Sequence, residues 1–124
     1  MTVTAGGYYL WQFDRLANLA EVYRLPSGRH TSTVYLTDTG VSSDPTPDLV
    51  VLSPRGDRIY AALRGPKPQT GAHAAVGSTP GLGIVELSHG GAYGSLTSIL
   101  RTTLRNPVDG SEESDAHGIC ARLK

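Results

Sequence analysis

An apolar run, Leu49-Val50-Val51-Leu52, is followed without spare residues by Ser53-Pro54-Arg55-Gly56-Asp57 and then by a second β-rich run, Arg58 to Leu63. Two short runs joined by a Pro-x-Gly-Asp turn are the sequence form of a β-hairpin, because proline presets the first turn dihedral and glycine supplies a positive φ. The unbroken apolar character of 49–52 predicts a strand covered on both faces. The rest of the chain agrees with a β reading, since 15 Gly and 8 Pro among 124 residues leave few windows of helical length without a breaker. The expected fold is all-β and antiparallel.

Taken in order, Tyr9, Trp11 and Phe13 share one face at period two and predict a strand. A turn at Ala17-Asn18, a strand over Glu21–Leu25, a close at Pro26-Ser27-Gly28 and a strand over Thr31–Thr37 follow, and then a polar loop runs from Asp38 to Pro47. Beyond the hairpin, Arg64 to Gly83 is too rich in breakers for a regular element and reads as a rim loop of a length that goes with function or disorder. Ile84–Leu87 reads as a short strand, His89-Gly90-Gly91 as a turn and Leu96–Leu104 as a further strand. Asn106–Ser114 is polar, and His117–Ala121 begins a last strand.

Asp115-Ala116-His117-Gly118-Ile119 restarts the pattern that Pro47-Asp48-Leu49 began, with four strands between the two starts. That is the unit of a β-propeller blade, although the interval of 67 residues from Asp48 to Asp115 exceeds the ~40–50 usual for such repeats. Three residue groups carry a family resemblance: Pro47-Asp48 with Ser53-Pro54, Gly56, Ile59-Tyr60 and Leu63; Leu63-Arg64-Gly65-Pro66 with Pro68 and Thr70-Gly71; and Gly77-Ser78-Thr79-Pro80-Gly81 with Asp115, His117-Gly118-Ile119. In these the chain resembles the bacterial YVTN-type, lactonase-like seven-bladed β-propellers, in their C-terminal blades only. The resemblance implies a partial propeller. Residues 1–43 would be outer strands of a preceding blade, 44–104 a full blade with the loop 64–83, and 105–124 a loop and the first strand of the next. Too few strands are present to close a ring, so open blade faces are expected to invite self-association.

Lys plus Arg and Asp plus Glu are both 11, so no overall field recruits nucleic acid or an acidic membrane. The opening Met1-Thr2-Val3-Thr4-Ala5-Gly6-Gly7 lacks the basic and apolar regions of a signal peptide, and no apolar run reaches transmembrane length, which predicts a soluble chain of undetermined compartment. A lone Cys120 between Ile119 and Ala121 reads as a small buried residue.

The candidate ligand-binding set is Asp48, Arg64, His73, Asp115 and His117. A metal site built from His73, Asp115 and His117 is disfavoured because no close-spaced Cys/His pairs occur. His89-Gly90-Gly91-Ala92 is similar to an esterase oxyanion loop but lacks the Gly-x-Ser-x-Gly elbow, and Gly81-x-Gly83 lacks the rest of a dinucleotide fingerprint. Arg55-Gly56-Asp57 is turn chemistry, and the aromatics around Trp11 read as core and not as a base-stacking platform. No catalytic set and no cofactor is expected. The leading expectation is a non-catalytic binding or scaffold module for an unidentified protein or small ligand. The alternatives are a lactonase-like hydrolase using Asp48, His73, Asp115 and His117, and a non-functional gene remnant.

Overall fold

The computed structural model describes residues 1–122. It is all-β, with two four-stranded antiparallel sheets. Sheet one holds β1 (Thr2–Val3), β2 (Tyr9–Asp14), β3 (Leu19–Arg24) and β4 (Arg29–Tyr35) in that spatial order. Sheet two holds β5 (Pro47–Leu52), β6 (Arg58–Leu63), β7 (Gly81–Ser88) and β8 (Tyr93–Arg101). Each is a meander; Gly7, Gly28, Gly56 and Gly90 hold positive φ in the short turns, and the rim loop over 64–80 joins β6 to β7. Among the described residues no helix is long and apolar enough to cross a membrane.

The sheets stack with β1 beside β5 and β4 beside β8. Alternation along the strands sends Trp11, Ala20, Val22 and Val34 from sheet one and Ile59, Val85 and Leu96 from sheet two into one shared core. Trp11 is fully buried, and its Nε1–H donates at 2.8 Å to the carbonyl of Gly91 in the turn that joins β7 to β8. Ser32 Oγ donates across the same interface to the Ala92 carbonyl at 2.7 Å.

The register of the two sheets repeats. Trp11 pairs with Val22 and Val22 with Ser32, as Tyr60 pairs with Ile84 and Ile84 with Ser98. One step further both ladders skip a threonine: Tyr23 pairs with His30 past Thr31, and Val85 with Leu96 past Thr97. Thr2 and Val3 oppose Trp11 and Leu10 as Val51 and Leu52 oppose Tyr60 and Ile59. Gly7 and Gly56 hold positive φ, at 73° and 75°, in the equivalent first turns. The two sheets are one supersecondary unit written twice.

Several sequence expectations need correction. The strand over 49–52 is not covered on both faces: β5 is an edge strand, Leu49 is 59% exposed, and among the described residues no second layer lies against that side of sheet two. The short strand expected at Ile84–Leu87 runs over eight residues, because Gly81 and Gly83 serve as strand residues opposite Leu63 and Ala61. Irregular chain therefore ends at Pro80. Before Asp48 there are four strands and not three, the extra one being the two-residue β1. No strand forms over His117–Ala121, where the one backbone bond among the described residues runs from the Leu49 amide to the His117 carbonyl at 3.4 Å. Cys120 is exposed, since that extended segment is not sandwiched between layers.

Candidate functional site

Arg64 is the first residue after β6, and its side chain is fully buried. Its guanidinium meets Asp115 in a two-pronged pair, Nε to Oδ1 at 2.6 Å and Nη2 to Oδ2 at 2.9 Å. Nη1 donates to Asp48 Oδ2 at 3.1 Å, and Nη2 also donates to the Thr70 carbonyl at 2.8 Å. The planar fork of arginine matches a carboxylate in this way, whereas lysine offers only a point charge. Both carboxylates are nearly buried, with side-chain exposures of 5% for Asp48 and 3% for Asp115.

Backbone amides complete the Asp115 shell, Gln69 N–H at 2.8 Å and Gly65 N–H at 3.3 Å. Burial pushes the Asp115 carboxyl up, but the hydrogen bonds from Arg64, Gln69 and Gly65 and the Arg64 charge together hold it below the usual carboxylate range. The bond to Asp115 in turn pushes the Arg64 guanidinium up against its burial. Gly65 is required for the close approach: a Cβ there would sit 1.7 Å from the Ser114 carbonyl oxygen.

Asp48 sits in β5 and accepts from two arginines, Arg15 Nη2 on Oδ1 at 2.6 Å and Arg64 Nη1 on Oδ2 at 3.1 Å, and His117 Nδ1 lies 2.7 Å from Oδ2. The far ring nitrogen Nε2 lies 2.5 Å from Thr70 Oγ1 and 3.2 Å from the Thr70 carbonyl oxygen, so the tautomer decides whether it accepts from the hydroxyl or donates to the residue. A carboxylate, an imidazole and a hydroxyl therefore stand in line at the mouth of the rim loop. His117 Nε2 lies 4.0 Å from Asp115 Oδ2, so both carboxylates flank the ring.

Four of the five residues expected to form the site are thus brought together, Asp48, Arg64, Asp115 and His117. His73 is not among them. It is exposed and turns its Nδ1 to the Pro68 carbonyl at 3.1 Å, within its own loop. Among the described residues no group of three His, Cys, Asp or Glu side chains is placed to hold a metal ion. The oxygens of both carboxylates face arginine, imidazole and amide donors.

Two participants were not anticipated, Arg15 and Thr70. Arg15 follows β2 as Arg64 follows β6, so an alignment of the two hairpins would have found it. The Arg15–Asp48 and Arg64–Asp115 links occupy corresponding places in the two units: each arginine follows the second strand of its sheet, Arg15 holding Asp48 of β5 and Arg64 holding Asp115 of the segment that leaves sheet two. Thr70 enters the sequence reading only through the family resemblance, and nothing in its type or spacing marks it as a neighbour of His117. Beside Arg15 a groove of about 310 Å³ lies between the β2–β3 turn and the rim loop, with Phe13, Leu16 and Ala72 among its apolar residues and Gln12, Asp14 and Arg15 as its polar ones. Compared with known proteins, the chain matches no family model, no curated protein and no solved structure.

Proposed function

We propose that this chain is a two-unit segment of a β-propeller-type scaffold, without chemistry of its own, that binds a partner at the groove between the β2–β3 turn and the rim loop. The observation that carries the reading is the saturation of the charged cluster. Arg64, Asp48 and Asp115 spend their charges on one another, and among the described residues no buried side-chain polar atom lacks a hydrogen-bond partner. Such a cluster orders the loop above it and leaves recognition to the groove, whose apolar floor and few polar groups suit a peptide or a small organic ligand.

Selection of peptides from a random display library on the immobilised chain tests this. Enrichment of a motif that is lost in Leu16→Glu, an exposed groove substitution, and retained in His30→Ala, on the far face of sheet one, is the expected result. Enrichment indifferent to Leu16, or none, contradicts it.

A hydrolase is the second reading, favoured by the Asp48–His117–Thr70 line, which has the order of groups that activates a hydroxyl nucleophile. It predicts hydrolysis of a p-nitrophenyl ester that disappears in both Thr70→Val and His117→Ala. Turnover no faster than in those variants rejects it.

A further inference from the structure

The repeat in register assigns a role to the two sheet faces left open. In sheet one, the face bearing Trp11, Ala20, Val22 and Val34 packs on sheet two. The corresponding positions of sheet two are Tyr60, Leu82, Ile84 and Leu100, which point away from the shared core. Leu100 there is 60% exposed, and Val51, Tyr60, Leu82 and Ile84 are only half-buried. Conversely, the face of sheet two that covers Trp11 bears Ile59, Val85 and Leu96. Its counterpart on sheet one is the open face with Leu10, Tyr23 and His30.

The open face at one end of the molecule therefore matches, position by position, a face that the chain already buries. The open face at the other end matches the surface that buries it. We infer that a second copy of this chain docks head to tail, its sheet one seated by the Leu10–Tyr23 face on the Tyr60–Leu100 face of sheet two. This continues the interface already formed inside the chain; its β2 edge at Gln12 and Asp14 borders the groove proposed above, but the inference is argued from the sheet faces and not from that groove.

Three details fit the same operation. Tyr60 stands where Trp11 stands and presents a hydroxyl where Trp11 presents the N–H that bonds Gly91; Ser98 stands where Ser32 stands, and Ser32 bonds Ala92. The Arg64–Asp115 link aims the segment after Asp115 as the Arg15–Asp48 link aims β5. Ser114 to His117 correspond to Pro47 to Val50, and Pro47 pairs with Leu63 and Val50 with Ala61. In the docked copy these partners correspond to Asp14 and Gln12, the part of β2 that the two-residue β1 leaves without a neighbour. A like-to-like dimer through either open face alone would use neither the segment nor that edge.

Solution mass by light scattering over a concentration series tests the proposal, with circular dichroism on each sample to establish the β fold. The wild type is expected to form species larger than a dimer, as a ring or a growing filament. Leu100→Glu and Leu10→Glu, on the two opposite faces, are each expected to be monomeric. Their equimolar mixture regains one intact interface and is expected to give a 1:1 pair of twice the chain mass. If Leu10→Glu loses its β spectrum, Val3→Glu, 42% exposed on the same face, replaces it. A folded wild-type monomer at every concentration overturns the proposal, as does a dimer indifferent to the Leu10 face, or a mixture that stays monomeric.

Discussion

Arg64 has no exposed side-chain surface and sits between two buried carboxylates, an arrangement costly in desolvation and sustained because the two carboxylates and the Thr70 carbonyl answer four of its five N–H donors. Its worth is felt when one member is removed. Asp115→Asn leaves part of the Arg64 charge uncompensated in a buried site and is expected to lower unfolding free energy by about 3 kcal/mol, read by urea titration. The Asp115 carboxyl is held below its usual range, so its contribution is fully present above the unfolded-state value of about 4 and is lost as pH falls through the folded one. Acid titration of the urea midpoint should accordingly fall more steeply below pH ~4 in the wild type than in Asp115→Asn; parallel curves would show that the carboxyl is not linked to folding. Gly65→Ala should cost at least ~2 kcal/mol, since its Cβ meets a backbone oxygen that a rotamer change cannot move away. At this scale the sequence made Asp48, Arg64, Asp115 and His117 legible as residues with chemistry to offer. It did not reveal that they answer one another, because that depends on the rim loop folding back over the end of β6 and on the C-terminal segment reaching Arg64.

At the level of elements, the hairpin of β5 and β6 was legible because apolar runs and turn residues adjoin, and local chemistry decides such a turn. The length of β7 was hidden because Gly81 and Gly83 read as breakers. In the structure Gly83 leaves room for the Leu63 side chain, which an added Cβ would approach to 3.1 Å. The exposure of Leu49 was illegible for a different reason: composition says that a strand is apolar, not which layers are present to cover it. The expected strand over His117–Ala121 failed on pairing, since one backbone bond to Leu49 does not make a ladder. Amide hydrogen exchange checks this reading directly. Residues 118–122 should exchange far faster than the central strands β6 and β7, and protection of the segment equal to theirs would mean that it is a strand after all. Trp11→Phe keeps most of the buried ring but removes the bond to Gly91, so a loss of about 1–2 kcal/mol is expected by urea titration.

For the whole molecule, two copies of one meander share a single core, and an arginine-aspartate link leads from each sheet into the next stretch of chain. The shared core couples the sheets, so they should unfold together although each has its own hydrogen-bond ladder. The repeat itself was only half visible in the sequence: the two starts at Asp48 and Asp115 could be read, but the match of β1–β4 to β5–β8 lies in strand register and in the skipped threonines, not in residue identity. In the scaffold reading proposed above, the charged cluster under the rim loop is a clasp that holds this stack together. Urea unfolding of Arg64→Met, followed by Trp11 fluorescence and by circular dichroism, tests it most directly. Coincident transitions from both signals are expected at lower urea, with a loss of about 3–5 kcal/mol, because buried Asp115 loses its counter-charge, Asp48 keeps only that of Arg15, and the loss reaches the core between the sheets. A variant with the wild-type midpoint, or with fluorescence and dichroism transitions that separate, would contradict it.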